Sequence, residues 1–375
     1  MSRAQLTSTV EQNTGGAVSP YVAGKNLIIN GAMEIAQRAN SYTVPSGGGN
    51  AYYPVDRFLS QDYTWSAGSN VTFSQSTTAP AGFNSSYKVA TGATGLTFAS
   101  GGTIGIWHKI EGYNLPAIAN GNAMLSFWVN SSVTGTYSIW FGNADWPSGS
   151  PTAALTKEYT ITVANTWQKI SIPINFAQGT AIGTWNYTNG LGLEIYWGLG
   201  ANANRVGNAY LNTWASFSTY NVQTTSAVQW ATNANATFYM TGVQLEAGNV
   251  ATSFSRANGT LSGELAACQR YYVRYSGAAY PTICAGIGNS NVAVYYSMPL
   301  KSTMRAAPTT LDFSTVGAWD AATIYAGSGL ALAAPQCTAD FAFFTMVTSG
   351  TTAQRAYFLI GNNSTSSYIG FSAEL

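Results

Sequence analysis

Charge is what this sequence has least of. Lys, Arg, Asp and Glu make up 8% of the 375 residues, and the formal net charge is +1; an ordinary soluble domain carries about 25% charged residues. No basic stripe exists to attract a phosphate backbone, so nucleic acid is excluded as a partner. No acidic tail exists either. Histidine occurs once, as His108. A catalytic triad needs a histidine between a nucleophile and an orienting acid, and no Gly-x-Ser-x-Gly elbow accompanies this one. Cysteine occurs three times, as Cys268, Cys284 and Cys337, without a CxxC pair. That odd count argues against a disulfide framework and against structural zinc, and leaves buried free thiols. No apolar run approaches the roughly 18 residues of a membrane helix. The opening MSRAQLTSTVEQN has no apolar core of the signal-peptide kind, so synthesis in a cytoplasm is expected. The acids stand singly along the chain, whereas glycoside cleavage needs two carboxylates flanking one bond. Walker and dinucleotide glycine patterns are missing. These absences lead to an expectation of no catalytic residues, no cofactor and no enzymatic activity.

The place of charge is taken by Ser, Thr, Asn, Gly and Ala, while hydrophobic residues reach 46% and aromatics 13%. The surface is thus polar without being ionic, and weak mutual repulsion favours life inside an assembly. The chain is long enough for two cores. Short β-branched and aromatic runs bounded by Gly, Asn, Ser or Pro recur throughout: 57–61, 71–76, 87–90, 104–110, 123–130, 135–141, 158–163, 168–174, 192–197 and 237–245. A second series lies at 270–275, 292–299, 309–313, 323–326, 339–347, 356–361 and 368–374. With no long helices between them, these runs predict antiparallel sandwiches and exclude a doubly wound α/β fold. No 20–50-residue period points to a solenoid or propeller.

The stretch 238–272 is the hinge of this organisation. Phe238, Met240, Gly242 and Gln244 alternate with Tyr239, Thr241, Val243 and Leu245, which predicts a strand with those two faces. A turn at 246–249 comes next, then a short helix at 263–268 with Ser262 as a candidate N-cap. The expected domains are an extended arm at 1–24, a jelly-roll sandwich at 25–256, a connector at 257–267 and a smaller β-sandwich at 268–375.

Several segments carry a family resemblance. FYMTGVQLEAGNVATSF (Phe238–Phe254) precedes ELAACQRYY (Glu264–Tyr272), and NLIINGAMEIAQR occupies Asn26–Arg38. VDRF at Val55–Phe58, LSFWVNSS at Leu125–Ser132 and YIGFSAEL at Tyr368–Leu375 complete the set. Together they resemble tail-fibre and appendage structural proteins of tailed bacteriophages and prophages, over residues 25–375. The resemblance implies a virion protein and a homo-oligomer, a homotrimer by analogy with tail fibres. It also implies docking on other virion proteins through the arm, and attachment to host surface glycans or decoration of the particle. It supplies no catalytic residues. A capsule depolymerase and a purely architectural capsid or neck subunit stay open as alternatives.

NLIINGAME, with the closing FYMTGVQLE, is also similar to carbohydrate-binding modules of the galactose-binding-like jelly roll, whose first and last strands are neighbours. Those modules often hold a structural calcium through an early Glu, here Glu34, and an acid in the closing strand. Thr241 or Gly242 stands where that acid would fall, so Glu34 is a weak metal candidate. Its expected role is that of a hydrogen-bonded or ion-paired residue near the sheet edge, with Arg38 or Arg57 as partner.

Sugar rings stack on indole and phenol faces, and a rim of Asn, Ser and Thr can bond their hydroxyls. Trp146, Trp185, Trp214 and Trp319 fall in predicted loops, whereas Trp128, Trp140 and Trp197 fall in strands and are expected in the core. Trp146, Trp185 and Trp214 are therefore the candidate glycan contacts. Two long connections, 141–157 and 199–230, are expected to carry function or an interface.

Overall fold

A computed structural model describes residues 24–44, 48–65, 70–144, 151–277 and 279–375. The expected arm at 1–24 falls, but for Gly24, outside the described residues. The chain divides into two compact units at Glu264/Leu265.

The first unit opens with β1 (Ser41–Val44), β2 (Gly48–Val55), β3 (Phe58–Trp65) and β4 (Val71–Ser76). Next come β5 (Ser86–Thr91), β6 (Phe98–Glu111), β7 (Asn122–Ser131) and β8 (Gly135–Gly142). Then come β9 (Ala153–Ile161), β10 (Gln168–Asn175), the short helix α1 (Phe176–Thr180), β11 (Leu191–Ala201), β12 (Ala215–Ser216) and β13 (Thr237–Ala247). They form two antiparallel sheets, one of six strands in the order β1-β4-β5-β13-β7-β10 and one of seven in the order β12-β9-β8-β11-β6-β3-β2. Alternate side chains of both sheets turn inward. Phe73, Val89, Phe127, Val129 and Phe238 from the first meet Phe58, Ile106, Ile139, Ile195 and Trp197 from the second in one core. Burying each such side chain contributes about 1.5–3 kcal/mol.

The seven-stranded sheet is buried on its other face as well. Trp107, Trp140 and Tyr196 stand there, with Trp107 stacked on Tyr196 at 4.0 Å. Gly105 makes this possible, because a Cβ at that position would come within 2.3 Å of the Tyr196 ring. Tyr210 and Val222, from the long connection at 199–230, close over these rings. The Tyr210 hydroxyl knots that connection by donating to the Thr219 carbonyl and accepting from the Ser218 and Thr219 amides.

β13 lies at the centre of the six-stranded sheet, between β5 and β7. Its faces differ from the simple alternation. Phe238, Met240, Val243 and Leu245 all face the core, because the register with β7 shifts between Thr241 and Gln244. Gly242 adopts φ +62 there, so one extra residue flips the parity of the rest of the strand. Residues Asn26–Ala32 form turns against this strand rather than a strand of their own. Asn26 is the clamp: its Oδ1 accepts from Ile28 and Leu245 amides, and its Nδ2 donates to Val243 and Ser255 carbonyls. The opening motif and the closing strand are thus neighbours, and Gly31 fits only as glycine, with the Val243 carbonyl oxygen 2.1 Å from where a Cβ would stand.

Helix α2 (Leu261–Gln269) spans the boundary between the units. It starts one residue before Ser262, and Thr260, not Ser262, offers its hydroxyl to the Gly263 amide. The Glu264 carboxylate accepts from the Asn30 and Asn258 amides.

The second unit contains β14 (Tyr272–Ser276), β15 (Thr282–Ser290), β16 (Ala293–Pro299), β17 (Thr310–Ser314) and β18 (Val316–Trp319). β19 (Ile324–Ala326), β20 (Gly329–Leu332), β21 (Phe341–Val347), β22 (Ala356–Gly361) and β23 (Tyr368–Ser372) complete it. A three-stranded sheet, β14-β23-β17, shares one core with a seven-stranded sheet, β19-β18-β22-β15-β16-β21-β20. The fold class is therefore all-β: a jelly-roll sandwich followed by a smaller sandwich.

Candidate functional site

Where β9 of one sheet and β10 of the other run along the open side of the first sandwich, the two layers do not close. A cleft of about 280 Å³ remains. Its floor is Leu155, Ile174 and Trp214; its rim carries the side-chain amides of Asn122, Asn175, Gln178, Asn212 and Asn249, and the ammonium of Lys157. Each element is set by local sequence. Asn175 ends β10 and caps α1, accepting from the Gln178 amide at 3.4 Å, as short polar side chains do at a helix start. Gly179 inside α1 lets the Trp214 indole lie against the turn, since a Cβ there would approach the ring to 2.7 Å. Asn212 adopts φ +63, a conformation Asn tolerates better than most residues, and its amide donates to the Thr156 carbonyl of β9 at 2.8 Å.

A second, more open groove of about 550 Å³ is lined by Asn143, Thr184, Trp185, Asn186, Tyr187 and Thr188. Phe176, Trp185 and Trp214 form an aromatic wall between the two recesses. Trp185 and Trp214 meet edge to face at 5.4 Å, and Phe176 stands 5.5 Å from Trp214.

Their loop positions in the sequence predict exposed rings for Trp185 and Trp214, and the structure corrects this. They are 9% and 6% exposed and belong to the core. The sequence places them in loops, but a loop that folds back over an open sandwich edge buries its aromatics there. The Trp185 Nε1 donates to the Gly179 and Ile182 carbonyls, both at 3.0 Å, whereas the Trp214 Nε1 is buried without an acceptor among the described residues. Each indole still contributes an edge to its recess. Trp146 lies outside the described residues. Trp319 ends β18 and is half-buried. Trp140 and Trp197 are fully buried, and Trp128 is half-buried.

Glu34 is engaged by Arg256, neither Arg38 nor Arg57. The guanidinium holds both carboxylate oxygens through Nε and Nη2 at 2.7–2.9 Å. Arg57 instead donates to the Lys109 carbonyl at 2.7 Å, and Arg38 lies 3.9 Å from Asp56. Among the described residues no group of three or more His, Cys, Asp or Glu is placed to hold a metal ion. A carboxylate already saturated by a bidentate arginine is a poor start for a hard cation.

His108 is buried on the inward face of β6, with its ring 4.7 Å from Phe58. Burial, reinforced by the Arg57 guanidinium, holds its pKa well below the usual histidine value.

The amide rim is not identifiable from sequence. Its members are spread from Asn122 to Asn249, and no local pattern joins them; of the residues around this cleft, only Trp214 stands out in the sequence as a candidate contact. A usable signal does exist at Lys157. β9 sends Ala153, Leu155, Tyr159 and Ile161 into the core, and Lys157 interrupts that inward series.

No family model matches this chain, and no curated protein matches its sequence. Among solved structures it is similar to the enzymatically active domain of tailspike protein 4 of bacteriophage CBA120 (14% identity, TM-score 0.32, 62% of this chain and 22% of that one). It is also similar to the family 11 carbohydrate-binding module of Clostridium thermocellum in complex with a β-1,3-1,4-mixed-linked tetrasaccharide (11%, TM-score 0.28, 57% and 99%). A third is the CBM22-2 xylan-binding domain of Paenibacillus barcinonensis Xyn10C (16%, TM-score 0.26, 59% and 98%). Scores this low carry no inference about function; the all-β architecture rests on the sheets themselves.

Proposed function

We propose that the chain is a non-enzymatic glycan-attachment protein of a bacteriophage tail or tail appendage. The observation that carries the glycan part is the amide-rich cleft over Trp214. Five carboxamides supply paired donors and acceptors, the complement of sugar hydroxyls, and an indole edge with two aliphatic side chains supplies apolar floor. Among the described residues no carboxylate lines this cleft, so it offers no acid–base pair to a glycosidic bond. The virion part rests on the sequence motifs at 26–38, 238–254, 264–272 and 368–375 that resemble tail-fibre proteins.

Assembly as a homotrimer belongs to the same reading. The outward face of the larger sheet in the second unit supports self-association. Ile287, Phe358 and Val347 stand there 50%, 41% and 49% exposed, flanked by the Tyr295–Phe343 and Trp319–Phe358 ring pairs. Glycan-array binding by the intact protein, lost in a Gln178→Ala/Asn249→Ala double variant, tests the attachment reading. Both residues are exposed and outside the core, so a folded variant that binds as the parent does would refute it. Reducing-sugar release from capsule would instead favour a depolymerase.

A further inference from the structure

Lys157 occupies an inward register position of β9. Its cross-strand partner is Ile139, itself fully buried in the core, and its own strand neighbours two residues away, Leu155 and Tyr159, are also core. A lysine there is out of place unless its charge has somewhere to go. The cleft is where it goes: Nζ reaches the rim and donates to Asn212 Oδ1 at 3.4 Å. No carboxylate pairs with it among the described residues. Its one hydrogen bond among the described residues is to a neutral amide, which solvates an ammonium partly and cannot neutralise it.

We propose that this cleft selects sugars bearing a carboxylate, with the Lys157 ammonium as counter-ion and the surrounding Asn and Gln amides holding the ring hydroxyls. This deepens the glycan reading above and rests on it. Half-burial also lowers the Lys157 pKa, which means the charge is under-solvated where it stands. An incoming carboxylate offsets the part of that solvation lost to burial. The alternative role of such a residue is structural: a long side chain snorkelling out at a sheet edge.

The test uses the full chain and three acidic sugars, glucuronate, galacturonate and N-acetylneuraminate, each beside its uncharged methyl ester, with inorganic phosphate as a charge-only probe. Binding is read by ligand-observed NMR or calorimetry. The proposal expects at least one acid to bind about ten-fold more tightly than its ester, as for a hydrogen bond to a charged group, with phosphate weaker still. Lys157→Met should erase that preference, and Lys157→Arg should retain most of it. Equal binding of acid and ester overturns the proposal and leaves the glycan reading standing. No binding of any sugar overturns both. Phosphate binding as tightly as the best acid, or a preference untouched by Lys157→Met, also overturns it.

Discussion

His108 makes a quantitative test of the first core. It is the only histidine in the chain and lies 1% exposed opposite Phe58 in the β6–β3 register. Its Nδ1 has no hydrogen-bond partner among the described residues. Burial, with the Arg57 charge, drives its pKa well below 6.5, so the folded protein keeps the ring neutral. The unfolded chain takes up a proton as pH falls through about 6.5. The folded state then binds fewer protons than the unfolded state, and stability declines as pH drops. Between pH 7 and pH 5 this one group removes up to about 2 kcal/mol, the limit reached by a ring that stays neutral in the folded protein throughout. Urea unfolding followed by tryptophan fluorescence reports on the right body, since every tryptophan except Trp319 lies in the first unit. His108→Leu shifts stability at pH 7 by an amount set by packing, but its loss between pH 7 and pH 5 should be smaller than the parent's, by up to about 2 kcal/mol. Equal losses in the two proteins would refute the reasoning, as would a histidine resonance titrating near 6.5 in the folded protein.

Other outcomes are expected from the same structure. Asn26→Ala orphans four backbone partners at once and should cost about 3 kcal/mol or more in denaturant unfolding; a loss under about 1 kcal/mol would contradict the clamp. Gly31→Ala sets a methyl against the Val243 carbonyl and should destabilise by about 2 kcal/mol or more, whereas Gly82→Ala has open space and pays only for its positive φ. Arg256→Ala should cost about 1 kcal/mol, because the pair with Glu34 is bidentate yet partly exposed. Millimolar calcium should leave the melting temperature unchanged; a calcium-dependent rise abolished by Glu34→Gln would restore the metal role.

Much of the fold is legible because its strands obey period two over β-branched and aromatic residues. β4 and β22 occupy the predicted 71–76 and 356–361, and most others differ by a few residues at each end. β15 escapes such a reading because TICAGIGNS looks like a turn-rich loop. Its glycines are instead demanded by close approach: a Cβ on Gly286 would meet the Tyr295 carbonyl oxygen at 2.2 Å, and one on Gly288 the Thr352 carbonyl oxygen at 2.0 Å. The face assignment in β13 fails at Gly242, because a bulge is a pairing event and alternation along one strand cannot reveal it. The cleft is illegible for a related reason. Its rim is drawn from five separate segments, and what joins Asn122 to Asn249 is sheet order. Trp185 and Trp214 stand out in the sequence as aromatic loop residues, and the structure joins them as neighbours, but as a wall behind the recesses instead of exposed platforms.

A crystal structure of the full chain soaked with an acidic oligosaccharide tests the central claim most directly. The account predicts sugar density in the cleft between β9 and β10, with hydroxyls on Asn175, Gln178 and Asn249 and apolar ring carbons toward the Trp214 edge. A saccharide seated elsewhere on the molecule, with this cleft holding only water, would contradict it.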